Sequence, residues 1–179
     1  MKKIVIASML VLFSLASVQA QTPGSEGREA MKKLSFLIGQ WKGEGWAQMG
    51  PGQRQTLTAL ETVQSRLGGE VLLIEGLGKN KAEGNQPEVI GHDAIAFIYY
   101  DEKAKLFRFQ AHRAGGIVVD TEAKLNDRGF EWLLPNEHGG TVRFTMKLND
   151  KGEWFEIGEA SRDGKTWYKF MEMTLQRVK

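Results

Sequence analysis

Cysteine is absent from the 179-residue chain. That excludes disulfides, thiolate metal ligands, thiol catalysis and lipid attachment at a cysteine, so a folded domain must rest on its core alone. Proline is scarce at four residues, and histidine scarcer still at three, His92, His112 and His138. Charge of one sign is lacking too. The formal net charge is +2, and without Lys2 and Lys3 the chain carries 22 basic and 22 acidic residues. That balance argues against a nucleic-acid partner. Long apolar runs are missing apart from Ile4 to Val18, which is short of the roughly 20 residues that span a bilayer. Glycines fall in turns between strand-like segments and never just before a helical one, so a phosphate-binding loop is missing. No Ser–His–Asp or paired-carboxylate context stands out either.

What is present begins with a leader. Met1-Lys2-Lys3, an apolar centre and Val18-Gln19-Ala20 make the basic start, greasy middle and small-residue exit of a secretory signal peptide over residues 1–20. The expected product is a protein of the periplasm or the cell exterior, without a membrane span once the leader is removed. Residues 21–26, with Pro23, Gly24 and Ser25, read as a disordered tether. Residues 27–179 are one domain's worth of chain. Between Gly27 and Ile38, Ala30, Met31, Leu34, Leu37 and Ile38 recur at helical spacing, and Gly39 stops the helix.

From Gln40 onward the period changes to two. Trp41, Gly43, Gly45 and Ala47 share one face against Gln40, Lys42, Glu44 and Gln48. Similar segments follow, separated by turn chemistry such as Gly68-Gly69, Gly115-Gly116, Asn126-Asp127-Arg128-Gly129 and Asn149-Asp150-Lys151-Gly152. About ten strands in sequential hairpins, with one short N-terminal helix, predict an all-β fold. Its form is an antiparallel up-and-down barrel with the helix capping one end; closure removes the sheet edges that a sandwich would expose.

Gly39-Gln40-Trp41 resembles the Gly-x-Trp that opens the first strand of lipocalins. In that family an arginine on the last strand packs over the tryptophan, and Arg177 is the matching residue, so the resemblance implies barrel closure by Trp41 and Arg177. Gly39-x-Trp41-x-Gly43-x-Gly45 is similar to the opening of nitrobindin-like haem barrels. In pattern, residues 34–178 resemble a bacterial family of uncharacterised exported lipocalin-like barrel domains. The haem barrels ligate iron through a histidine late in the chain, and none of this chain's histidines lies in its last two strands. No cofactor and no metal is therefore expected.

Such a fold implies a cavity able to hold one small hydrophobic molecule without covalent attachment. Candidate lining residues are Trp41, Val119, Phe130, Trp132, Phe144, Met146, Met171 and Met173; core packing would use the same side chains. Glu61 shares a face with Leu57, Ala59 and Val63. Arg108 and His112 are possible polar cavity groups if Leu106, Arg108, Gln110 and His112 point inward. If Phe107, Phe109 and Ala111 point inward instead, Arg108 is solvated, and the burial of two phenylalanines favours that arrangement. A turn near Glu102-Lys103 would set His92 opposite Arg113 and Asp93 opposite His112, a cross-strand ion pair. The competing functions are an enzyme acting on a small molecule through Glu61, His92 or His112 as base, a haem barrel, and a ligand-free envelope protein that acts through its surface.

Overall fold

A computed structural model describes residues 24–81, 87–137 and 139–178. The expected signal peptide therefore lies outside the described residues, as does His138. Helix α1 (Ser25–Lys32) and a 3₁₀ turn (Ser35–Leu37) lead into ten strands. These are β1 (Gly39–Gly50), β2 (Gln53–Arg66), β3 (Val71–Asn80), β4 (Val89–Asp101), β5 (Leu106–Arg113), β6 (Ile117–Asn126), β7 (Gly129–Pro135), β8 (Thr141–Leu148), β9 (Trp154–Ser161) and β10 (Tyr168–Arg177). Each strand pairs antiparallel with the next, and β1 pairs with β10, closing the barrel. Of the tether expected over 21–26, residues 21–23 lie outside the described residues, and Ser25 and Glu26 belong instead to α1.

Alternation in the sequence becomes inside and outside in the barrel. In β2, Ala59, Glu61 and Val63 are buried; in β3, Leu72, Ile74, Gly76 and Gly78; in β5, Phe107 and Phe109. The turns carry their own hydrogen bonds. Asn149 Oδ1 accepts the backbone N–H groups of Lys151 and Glu153, at 2.9 and 3.0 Å. Asp163 Oδ1 accepts those of Lys165 and Thr166, both at 2.8 Å, which lowers the Asp163 pKa to about 2.

Strands β1 and β10 meet unusually closely. A Cβ on Gly43 would stand 2.9 Å from Leu175 Cα, and one on Gly45 would stand 2.6 Å from Met173 Cβ. Real Cβ atoms do not approach so near, so the alternate glycines are what allow the first strand to bend against the last.

One register differs from the sequence-based expectation. Ala94 faces Arg113 and Ile95 faces His112, a shift of the β4–β5 pairing that leaves Asp93 opposite Leu77 on β3. The cause is the turn. Asp101 Oδ1 accepts the N–H groups of Lys103 and Ala104, and Lys105 takes a positive φ of 58°. The turn therefore closes one residue later, between Asp101 and Leu106. The expected Asp93–His112 ion pair does not form, and Arg113 Nη2 instead donates to the Gly91 carbonyl at 2.8 Å.

Candidate functional site

The two ends of the barrel differ. At the end covered by α1, the inward side chains are packed solid. Leu34, Leu37, Trp41, Phe130, Ile98 and Leu175 have no exposed surface. Trp41 meets Trp154 edge to face at 5.9 Å, and Phe107 meets Phe130 at 5.7 Å. The N-terminal segment is tied down over this end by polar contacts. Gly27 N donates to Glu102 Oε1 at 2.7 Å, Arg28 pairs with Glu70 at 2.6 Å, and Lys105 pairs with Glu26. Trp41 Nε1 donates to the Leu37 carbonyl at 2.7 Å. The Arg177 guanidinium lies 4.1 Å from the centre of the Trp41 ring and donates to the carbonyls of Ile38 and, at 2.8 Å, Phe36.

At the opposite end, inward residues are only half buried: Ala47, Leu57, Ala94, Ala111, Val119, Leu134 and Met171. One side of this half is walled by rings. Phe109 stacks on Trp132 with centroids 4.4 Å apart and planes 19° apart, and Trp132 stacks on Phe144 at 5.3 Å and 17°. Small residues make this possible. Ala123 and Thr121 on β6 leave room for the rings of β5 and β7 to touch, while Gly158 on β9 accommodates Phe144 and Phe170, where a Cβ would stand 2.8 Å from Phe170 Cζ. A bulge between Lys169 and Met171 turns Phe170 toward Phe144, edge to face at 5.8 Å. The facing wall, β1 to β4, presents mainly glycine and alanine.

Between the two ends sit two buried carboxyls, Glu61 on β2 and Glu156 on β9, each 8% exposed. Glu156 Oε2 accepts Trp154 Nε1 at 3.1 Å. Burial pushes its pKa up to about 7, against the small opposing effect of that bond. Burial, and then the charge of Glu156, raise Glu61 well above the ordinary carboxyl range.

The eight residues expected to line a cavity divide along this axis. Trp41, Phe130 and Met146 belong to the sealed end, Trp132 and Met173 to the middle, and Val119, Phe144 and Met171 to the half-buried end. Of the three possible polar cavity groups, only Glu61 faces inward. Arg108 and His112 lie on the outer face, because Phe107 and Phe109 take the inner one; Arg108 pairs there with Asp120 and His112 is exposed. Glu156 was missed by sequence reasoning. Its strand reads Trp154-Phe155-Glu156-Ile157, apolar on both faces, and only the parity set by Trp154 and Gly158 marks the glutamate as inward.

His92 shares the inner parity of Ala94 and Ala96 but stands exposed at the rim, opposite Gly78. Desolvation and then Arg113 lower its pKa, against Asp93. The described residues contain no group of three histidine, aspartate or glutamate side chains that would hold a metal ion. A haem iron would need an axial histidine on the last strands, by the resemblance above, and β9 and β10 carry none. The residues present do not fit that group. Two shallow depressions, about 370 and 540 Å³, lie on the outer wall beside β1, β2 and β10 and at the β8–β9 turn, away from the rings.

Closure, the helix at one end and the Trp41–Arg177 stack define a lipocalin-like barrel. No family description matches the chain, and no curated protein matches it in sequence. Solved structures do match in shape. The crystal structure of Rv2717c from M. tuberculosis has a TM-score of 0.56 at 13% identity, covering 84% of this chain and 98% of that one. The S-type phycobiliprotein lyase CPES from Guillardia theta has a TM-score of 0.57 at 9% identity, covering 84% and 93%. Both are ten-stranded lipocalin-like barrels, and at such identity the likeness shows the fold alone.

Proposed function

We propose that the protein is an exported carrier that binds one small hydrophobic molecule, non-covalently, in the half of the barrel away from α1. The observation that carries this reading is the asymmetry of the inner face. One end is filled to zero exposure, while the other keeps a stacked aromatic wall opposite glycine and alanine. Flat apolar molecules gain from such a wall both by removal from water and by ring stacking. Barrels of this kind hold single small ligands. That a barrel of this shape serves as a phycobiliprotein lyase in another organism is in keeping with a small-molecule role; that protein's chemistry is not carried over. Export rests on the leader at residues 1–20, and predicts a mature chain beginning at Gln21.

The test is titration of the purified protein with the neutral fluorescent probe N-phenyl-1-naphthylamine, alongside organic extraction and mass spectrometry of the protein as isolated. Saturable one-to-one binding, reduced by Phe144→Ala and by Gly158→Val, supports the carrier. No saturable binding, together with an extract empty of stoichiometric apolar compound, overturns it. Amino-terminal sequencing of the protein from the periplasmic fraction tests the export half separately, and an intact Met1 would refute it.

A further inference from the structure

Resting on that carrier reading, we propose that the ligand of this barrel is an apolar, flat molecule bearing a cationic nitrogen, an amine or amidine, and that Glu61 and Glu156 receive that group.

Glu61 is nine-tenths buried and points into the lumen from β2. Its carboxyl forms no hydrogen bond or ion pair with another described residue, yet no fully enclosed side-chain oxygen among the described residues lacks a partner. Each Glu61 oxygen therefore keeps some accessible surface and is open to a donor. The carboxyl leans into the hollow left by Gly76, where a Cβ would stand 2.7 Å from Glu61 Oε2 and 2.9 Å from Oε1. A buried carboxyl kept without a partner is costly, and its natural complement is a donor that arrives with a ligand.

Glu156 approaches from the other side, three strands round the wall, and feels the charge of Glu61. Its single side-chain partner, Trp154 Nε1, leaves acceptor capacity facing the lumen. Directly across from Glu61 stand Trp41 on β1 and Gly76 on β3, neither of them ionisable. Other ionisable groups of inward parity among the described residues are His92, Arg113 and Tyr168, all exposed at the open rim, and Tyr100, at the sealed end. No described lysine or arginine is buried. Below the rim the inner face thus carries two acids and no fixed cation, the Arg113 guanidinium standing at the exposed mouth on the Gly91 carbonyl. An anionic ligand would meet repulsion, and a cation would meet paired acceptors in a poorly screened place.

Three probes of similar size separate the possibilities: cationic 9-aminoacridine, anionic 1-anilinonaphthalene-8-sulfonate and neutral N-phenyl-1-naphthylamine. Each is titrated into the wild type, E61Q, E156Q and the double variant. Glutamine matches the shape of a protonated carboxyl, and near-ultraviolet circular dichroism checks the fold. The expected result is wild-type affinity for the cation at least about ten-fold above that for the anion, lost in the double variant while the neutral probe binds as before. Cation affinity also rises from about pH 5 to about pH 9 as the carboxyls lose their protons. His92 loses its charge in the same direction, so His92→Asn is required to keep the rise. This series on wild type and His92→Asn decides the matter even where the glutamine variants fail to fold. Equal binding of the three probes, or cation affinity indifferent to both pH and the glutamines, overturns this inference and leaves the carrier standing. Failure of the neutral probe to bind at all removes the carrier itself.

Discussion

The end of the barrel under α1 and the end away from it are made from the same ten strands, yet they obey different rules. Beneath the helix, large side chains interlock: two tryptophans, Phe107, Phe130, Ile98 and Leu175 leave no room, and Arg177 satisfies two backbone carbonyls that the chain would otherwise leave open. At the far end, Gly158 and the β1 to β4 glycines and alanines stand where packing would have placed bulk. Full burial is concentrated in the first region, and partial burial in the second. Small residues on one wall and parallel rings on the other interlock less completely than the large side chains beneath the helix, which is the contrast the proposed site rests on.

The sharpest way to break this contrast is to truncate one ring at each end. Trp41→Ala removes a fully buried side chain, its bond to Leu37 and the seat of Arg177, and should cost about 3–5 kcal/mol in urea unfolding. Phe144→Ala, half buried at the open end, should cost about 1–2 kcal/mol while weakening N-phenyl-1-naphthylamine far more than Trp41→Ala does in the folded fraction. Equal costs at both ends would mean that the far half is core as well.

The carboxyls between the two regions give the next effect. Folding raises the pKa of Glu156 from the ordinary 4.5 to about 7, and that of Glu61 in the same direction. The folded state therefore holds more protons than the unfolded one within that window. Their contribution is fully present below about pH 4.5 and is lost as pH rises toward 7, an effect on the order of 2–3 kcal/mol for Glu156. Thermal melts across this range should fall in midpoint, and E156Q should flatten the fall. A midpoint that rises with pH there in the wild type, with no change in E156Q, would contradict the burial of these groups.

Arg177→Met keeps an apolar stem over Trp41 but removes the guanidinium, and should cost about 1–3 kcal/mol in the same unfolding measurement. Arg108→Ala on the outer wall should leave the urea midpoint close to the wild type and leave probe binding alone. A large loss of binding in Arg108→Ala would place that arginine at the ligand after all.

The strands were legible because nearly every one alternates, and the turns because asparagine, aspartate and glycine recur between them. Trp41 and Arg177 stand where the resemblance to lipocalins put them, and the pairing of β1 with β10 brings them together. The β4–β5 register was not legible: it turns on two hydrogen bonds to Asp101 and a positive φ at Lys105, neither of which leaves a pattern in composition. Glu61 could be read from its strand because Leu57, Ala59 and Val63 share its face, against Leu60 alone among threonines and glutamines on the other. Glu156 could not, because Phe155 and Ile157 make the opposite face look equally suited to the interior. The division into a fully buried half and a half-buried one depends on which small residues lie across the barrel from which rings, a relation between strands distant in the chain.

The seam between β1 and β10 has a kinetic consequence. Every other ladder joins consecutive strands, so it can zip from a local turn, whereas Trp41 meets Arg177 only after the intervening sheet has curled fully round. Searching for that contact costs chain entropy that no hairpin recovers. Refolding should therefore stall at an open, curved sheet, and the step that seats the arginine on the indole is the one expected to govern how fast the native molecule appears.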